Sequence, residues 1–591
     1  LINMAYLTFL LISIFVCQMA QSQYVNVSTP VGTITGYIDD VNFDGASKKV
    51  TKFIGIPYAE APVGQRRFTK PVLKKSLPSP YNATYPRPQC PQDTITGYEM
   101  DLSNVAEDCL YVNVYIPGDR VNSNSKNFAV MIWIHGGGFI IGSQDMYDGS
   151  VLSAMNNVIV VTLNYRLTVF GFLSTGDNEL RGNYGLWDQH TAIRWAHENI
   201  AAFGGDPERV TMFGESAGGF SVSYQALYPG NSGLVKRGIA QSGSTDNIRV
   251  GIEESQRNFQ GFAKGVGCDF LEQSSTVRCL RSKTFNELVS GLRKNKLNMP
   301  MFDFRPRVDG EFLQEYPSNI FRNETDLSAK VLKFFSTLDF ISGINSHDGS
   351  VSLMPFVNEM NYYLNRSIND GIPRAFFTET IVPGIVDYLL KENVKVFAEA
   401  IIHEYTDWSN PDDPKKIRSS VVDLLTDYAF LVPAVKTLNS HIAFNTESNT
   451  FMYQFSEKPF YYQEYTWLPG AAHAVELPYV FGFPQSMKIP LGNVPAKDIR
   501  LSKLMMTLWT NFAKSGNPNS PIEFNNFIPV SWPKYGENHM YLDLSTNMTS
   551  PVKRNIAPSR ISLWLEVMPE ILKTVHKATS ELPHVPVIVV G

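Results

Sequence analysis

Charge is scarce in this chain. Only 18% of its 591 residues are Asp, Glu, Lys or Arg, and no segment gathers Lys and Arg into a stripe. The net charge of −5 is spread along the sequence, so no nucleic-acid partner is expected, because that binding needs a clustered positive footprint. Low-complexity tracts are missing too, while hydrophobic residues reach 43% and aromatics 12%, which argues for a large core and against extensive disorder. There is no H-E-x-x-H and no paired C-x-x-C, the common zinc patterns; no metal and no cofactor are expected. No repeat with a period of about 20–50 residues is visible, which argues against solenoids and propellers. Long apolar runs are missing apart from Leu7–Val16, which is too short to span a membrane comfortably and has the length of a signal-peptide core. Ala20 and Ser22 supply small residues for cleavage, so residues 1–22 are expected to be a signal peptide, with Met4 as its start. Val585–Val590 is too short to span or to signal a lipid anchor; no transmembrane anchor is expected, and the location is expected to be extracellular.

Cysteine is sparse, with five in all. Cys17 leaves with the signal peptide, and Cys90, Cys109, Cys268 and Cys279 remain, an even number suited to an oxidising compartment. Three pairings are open, of which local loops favour Cys90–Cys109 and Cys268–Cys279, each closing a short loop worth roughly 3 kcal/mol. Sequons at Asn26, Asn82, Asn323, Asn365 and Asn547 offer glycosylation candidates consistent with secretion.

Apolar runs alternate with helical patterns through the first half. Phe128–Ile134, Val158–Leu163, Val210–Phe213, Ile239–Ala240 and Asp339–Ile341 read as strands; Gly185–Phe203 and Ser216–Leu227 read as helices. That alternation predicts an α/β fold with a mostly parallel central sheet and helices on both faces. The helix-rich tracts near 250–330 and 350–445 fit poorly as sheet and are read as insertions roofing it. No Pro/Gly/Ser linker separates them, so residues 23–570 are expected to form one domain, followed by a tail over 571–591.

Gly214-Glu215-Ser216-Ala217-Gly218 lies between a short strand and a helical pattern, the context of a nucleophile elbow. Small neighbours let strand and helix approach, and the helix N-terminus aims N–H groups at developing negative charge. Roughly 80 residues earlier, His135-Gly136-Gly137-Gly138-Phe139 ends an apolar strand and leaves backbone N–H groups able to face an oxyanion. Together these two elements indicate an α/β-hydrolase. A Ser nucleophile needs a base, and the base needs an orienting acid, in the chain order Ser, acid, His. Six histidines lie beyond residue 348, namely His403, His441, His473, His539, His576 and His584, and spacing does not choose among them. His403 sits in a helical pattern. His473 sits in Gly470-Ala-Ala-His473, a small-residue loop that presents an imidazole without crowding it.

The chain resembles the type-B carboxylesterases, the family of cholinesterases, carboxylesterases and bile-salt-activated lipase. The resemblance runs from about Val31 to about Pro569. It rests on Phe53–Glu60 with Arg67-Phe68, Glu107–Asn113, His135–Phe139, Asn164-Tyr-Arg166 with Gly171-Phe-Leu173, and Gly182–Gln189. Phe203–Pro207, Phe213–Gly219, Gln241-Ser-Gly243 and Gly470–His473 extend it. It implies Ser216 as nucleophile, His473 as base, an oxyanion hole from Gly137, Gly138 and Ala217, and the two local disulfides. Arg67 with Glu107 and Arg166 with Asp188 match ion pairs of the family's architecture. The acid block reads Gly343-Ile-Asn-Ser-His-Asp348-Gly349, so Asp348 stands where the family usually has Glu, a change that resembles the bile-salt-activated lipase branch. One methylene shorter, Asp348 requires its loop to sit closer to the imidazole.

The resemblance thus implies a secreted hydrolase of small-molecule or lipid carboxylic esters, active only while His473 is neutral, above roughly pH 6.5. A lipase or sterol-ester hydrolase is the nearest alternative. A non-catalytic adhesion protein, like the family's neuroligins that keep the fold and lose the triad, is a more distant one. Cholinesterases hold the choline cation on aromatic rings; the matching positions here are Glu99 and Val351, so no preference for choline esters is expected. The oligomeric state is left open.

Overall fold

The computed structural model describes residues 23–580 apart from 93–102, 120–126, 246–250, 296–303, 354–356, 358–359, 361–364, 391–394, 445–446, 463, 484–493 and 523–530. The expected signal peptide and the end of the expected tail lie outside the described residues.

Among the described residues, thirteen strands form one sheet. They are β1 (Tyr24–Thr29), β2 (Gly32–Phe43), β3 (Ala46–Pro57), β4 (Tyr81–Asn82), β5 (Tyr111–Pro117), β6 (Phe128–Ile134) and β7 (Ile159–Leu163). The rest are β8 (Gly205–Glu215), β9 (Arg237–Gln241), β10 (Asp339–Asn345), β11 (Thr450–Phe455), β12 (Met540–Leu544) and β13 (Val552–Arg554). The spatial order is β1-β2-β3-β5-β7-β6-β8-β9-β10-β11-β12-β13, with β4 beside β2. From β7 through β12 every pairing is parallel, as the strand–helix alternation predicts. The N-terminal flank β1-β2-β3-β5-β7 is antiparallel.

The parallel strands read as continuous apolar runs because both of their faces are covered. In β6, Ala129, Met131 and Trp133 enter one core, while Val130, Ile132 and Ile134 enter the other. Trp133 packs edge-on against Phe213 of β8 and Phe481, so neighbouring strands and the layer above lock through aromatic contacts. The flank carries a weaker signal. Asp40 and Lys49 sit directly opposite in β2 and β3 and pair at 3.2 Å in solvent, so charge interrupts the apolar alternation there.

The helix-rich tracts are present as helices. Ile252–Gly265, Gln273–Ser282 and Phe285–Asn295 enclose a small separate core around Phe262, Leu280 and Leu288, closed by the Cys268–Cys279 disulfide. Pro414–Thr426 continues through a π-helical turn, Asp427–Leu431, into Val432–Phe444. The C-terminal helix Met568–Ser580 runs across residue 570, where the domain boundary was expected. Cys90 is joined to Cys109, and both expected ion pairs form. Arg67 grips Glu107 through two guanidinium nitrogens, and Arg166 reaches Asp188 through Nε and Nη2, each at 2.7 Å. All five sequon asparagines are exposed.

Candidate active site

Strand order turns back on itself at β6, whose chain continues to β7 on one side while β8 lies on the other. Such a switch point opens a crevice beyond the carboxyl ends of the strands. Both glycine motifs emerge there, since β6 ends at Ile134 and β8 at Glu215.

Ser216 has φ 55° and ψ −123°, a strained backbone for a residue with a side chain, and the helix Ala217–Ala226 starts immediately after it. The turn is possible because a Cβ on Gly218 would lie 1.9 Å from the carbonyl oxygen of Ile134. Ala217, as the first helical residue, has an N–H without an intrahelical acceptor. The other glycine turn folds over Ser216: a Cβ on Gly136 would lie 3.2 Å from Ser216 Cβ. Gly137 and Gly138 both take positive φ, and Gly137 O accepts from Ile140 N and Ile141 N at 3.0 Å.

Asp348 follows β10 by three residues and is fully buried. Its Oδ1 lies 2.8 Å from His473 Nδ1, and its Oδ2 accepts from Asn345 N at 2.8 Å. The shorter acid is accommodated because its loop is stapled to the histidine loop. His347 N donates to Ala471 O, Asn345 Nδ2 to Ala472 O, Ala471 N to Ser346 Oγ, and His473 N to Ser350 Oγ, at 2.7–3.1 Å. Gly349 N donates to Thr426 Oγ1 at 2.8 Å, tying the acid loop to the helix behind it, and Phe430 of the π-helical turn lays its ring 5.0 Å from the His473 ring.

The imidazole's other nitrogen faces a carboxylate: His473 Nε2 lies 3.1 Å from Glu215 Oε1. No hydrogen bond joins Ser216 Oγ to His473 among the described residues, and catalytic hydrogen bonds are commonly long before substrate binds. Burial alone would lower the proton affinity of His473. The charge of Glu215, the bond to Asp348 and the charges of Asp348 and Glu476 outweigh it, carrying the imidazole up to about 9. Burial lifts Glu215 to about 8, with His473 opposing and Glu476 and Asp348 reinforcing. Behind them the buried Glu476 carboxylate accepts from Gln241 Nε2 at 2.9 Å and Asn345 Nδ2 at 2.6 Å, and burial raises its pKa as well. Trp509 Nε1 bonds Gln241 Oε1 at 3.0 Å, and Gln241 O receives Ser216 N at 2.9 Å, so one polar network reaches from the Ser216 backbone to the acidic groups around His473.

Ser216, Asp348, His473 and the glycine turn thus converge on one crevice. Among the other histidines, His441 is fully occupied in the core by Thr450 Oγ1 and Leu338 O, and the His403 ring lies tilted against Trp408 on the outside. Sequence reasoning passed over Glu215 and Glu476. The signal for Glu215 was its place beside the nucleophile, where a strand residue bordering so sharp a turn is drawn into the site.

A family model described as "Carboxylesterase family" matches residues 21–564. The chain belongs to the carboxylesterase family. Similar relatives include neuroligin-2 of Mus musculus, 34% identical over 612 residues that cover 95% of this chain and 69% of that protein. Neuroligin-3 of Mus musculus is 33% identical over 573 residues, covering 88% and 66%. Bile salt-activated lipase of Bos taurus is 34% identical over 577 residues, covering 94% of this chain and 90% of that protein. A carboxylesterase-family member has the α/β-hydrolase fold, in keeping with the large sheet flanked by helices. No helix among the described residues is long and apolar enough to cross a membrane.

Proposed function

We propose that this carboxylesterase-family protein hydrolyses carboxylic esters outside the cell, as a single domain that starts near residue 23 and takes in the helix Met568–Ser580. The observation that carries the reading is the contact of Asp348 Oδ1 with His473 Nδ1 at 2.8 Å, set beside a serine on a strained elbow. In the reaction, Ser216 Oγ attacks the ester carbonyl as its proton passes to His473 Nε2. The tetrahedral oxyanion accepts hydrogen bonds from the N–H groups of Gly137, Gly138 and Ala217. Collapse expels the alcohol, which takes the proton from His473, and leaves an acyl group on Ser216. Water, deprotonated by His473, then releases the acid. Asp348 holds the imidazole tautomer with its proton on Nδ1 and stabilises the imidazolium. Cys90–Cys109 and Cys268–Cys279 and the exposed sequons suit a secreted glycoprotein.

Two similarities pull the finer reading apart. The match to bile salt-activated lipase covers most of both chains and favours a lipid ester as substrate. The matches to neuroligins favour a protein-binding role on the same fold. Reaction with a fluorophosphonate separates them. The purified protein takes the label on Ser216, and Ser216→Ala abolishes both labelling and turnover while folding and secretion persist. A Ser216→Ala protein retaining a tenth of the esterase activity would exclude the assignment, and an unlabelled wild type would favour adhesion. Esters graded in acyl length then decide between short-chain and lipid substrates.

A further inference from the structure

The glycine turn is held at three points. Tyr165 OH donates to His135 O at 2.9 Å where the turn begins, and Thr168 N donates to Phe139 O at 2.9 Å in its middle. Where the turn ends, the partner is a side chain from a different part of the chain. Gln92 Oε1 accepts from Gly142 N at 2.9 Å, and Gln92 Nε2 donates to Gly142 O at 2.9 Å. One primary amide thus satisfies both backbone groups of a single residue, as a neighbouring strand would. Gln92 is buried, and its Nε2 also donates to Cys90 O at 3.1 Å, which fixes the amide against the disulfide-bonded cysteine two residues away. The segment just beyond is stitched the same way, with Gln144 N donating to Asn164 Oδ1 at 2.8 Å and Asn164 Nδ2 to Pro88 O at 3.3 Å.

Movement at Gly142 cannot stay local. A Cβ on Gly142 would lie 2.8 Å from Gly136 O, and a Cβ on Gly137 would lie 2.2 Å from Ile141 O, so the two limbs of the turn are in backbone contact. Gly137 O takes both Ile140 N and Ile141 N, and the chain from Gly137 to Gly142 therefore behaves as one stiff unit. Donors of an oxyanion hole must be held within a fraction of an ångström, and a misplacement of about 1 Å costs on the order of a hundredfold in rate.

We propose that Gln92 is the positioning residue of the oxyanion turn: its amide fixes Gly142, and through it the N–H groups of Gly137 and Gly138. The proposal rests on the hydrolase reading above. It assigns the first disulfide loop a part in catalysis without contact with substrate.

The test uses the full secreted chain with Gln92→Met, which keeps the volume and loses the amide. Gln92→Glu serves as a second variant, because it keeps an acceptor for Gly142 N but sets a carboxylate against Gly142 O and Cys90 O. Sites are counted by exhaustive fluorophosphonate labelling, so a misfolded fraction drops out of the rate. Expected for both variants is a loss of about tenfold or more in kcat per site on an aryl acetate, with KM within about twofold. Affinity for a trifluoromethyl ketone, which adds to Ser216 Oγ and forms the oxyanion, falls in parallel. A kcat per site reduced less than about fivefold, or reduced with ketone affinity unchanged, overturns the proposal. If the wild type neither labels nor turns over, the hydrolase reading is what fails. The clamp is then read from amide hydrogen exchange across residues 135–142, which Gln92→Met accelerates; unchanged exchange overturns it.

Discussion

His473 Nε2 lies 3.1 Å from Oε1 of Glu215, so the imidazole stands between two carboxylates, with Asp348 at 2.8 Å on its other nitrogen. A proton on this ring is therefore stabilised by acidic groups at both of its nitrogens, and it leaves reluctantly.

The pH dependence follows. In the proposed reaction only the neutral imidazole accepts the proton of Ser216, and the proton affinity of His473 is raised to about 9. The sequence alone put the acid limb near pH 6.5; the structure moves it upward, so kcat/KM rises through neutral pH toward an alkaline plateau. Glu215→Gln removes the charge that contributes most to the rise and shifts the limb to lower pH by about one unit or more. A limb that stays in place in Glu215→Gln, measured on a neutral ester from pH 5 to pH 10, would assign the shift to another group.

Asp348→Asn preserves shape but offers the imidazole the wrong partner. The amide can donate to Nδ1 and favour the tautomer protonated on Nε2, which is unable to act as base. A loss of about four orders of magnitude in kcat is expected, by the behaviour of serine-hydrolase triads. The staples around the loop leave the acid no freedom to be replaced by a neighbour, since Glu476 is already bound by Gln241 and Asn345. A loss under tenfold in steady-state assays would point to a different acid.

Stability has its own pressure point behind the site. Asp427 is fully buried, with Arg560 Nε at 2.6 Å and Tyr405 OH donating at 2.7 Å. Burial pushes Asp427 up to about 7 against the opposing charge of Arg560. Arg560→Met strands a buried carboxyl and costs about 3 kcal/mol, seen as a lower midpoint in denaturant. Adding Asp427→Asn recovers most of that loss, because the amide still accepts from Tyr405. A double variant no more stable than Arg560→Met alone would show that the pair does not act as a unit.

Much of this was legible before any coordinates. Phe128–Ile134 reads as buried strand because apolar residues feed cores on both of its faces. Gly214–Gly218 and His135–Phe139 read as turns because glycine is required where backbones nearly touch. The antiparallel flank was missed because charge breaks its apolar alternation: Asp40 answers Lys49 across the strands, and Asp39 reaches Lys52. Glu215 and Glu476 were missed for another reason. A single carboxylate carries no period and no motif, and its meaning arises only when β8, β10 and the histidine loop are brought side by side. Gln92 is the same case, an ordinary polar residue until Gly142 is folded against it.

The last prediction concerns substrate charge. In the cholinesterases that this chain resembles, aromatic faces hold a quaternary ammonium, each contributing up to about 2 kcal/mol when desolvated. One matching position is Glu99, which lies outside the described residues. The other is Val351, an aliphatic residue on the turn after Asp348, 41% exposed and without a π-face. Phe430 is the ring at the base, but it packs on His473 itself and is buried, so it is committed to the imidazole. A solvated carboxylate at Glu99 would add at most about 1 kcal/mol toward a cation. If it is the proposed esterase, the protein is therefore expected to show no preference for acetylthiocholine over an uncharged thioester of the same acyl length, measured as kcat/KM at fixed ionic strength. A hundredfold preference for the cation, about 2.7 kcal/mol of discrimination, would require an aromatic cage that neither Val351 nor Phe430 provides, and would move this chain among the cholinesterases.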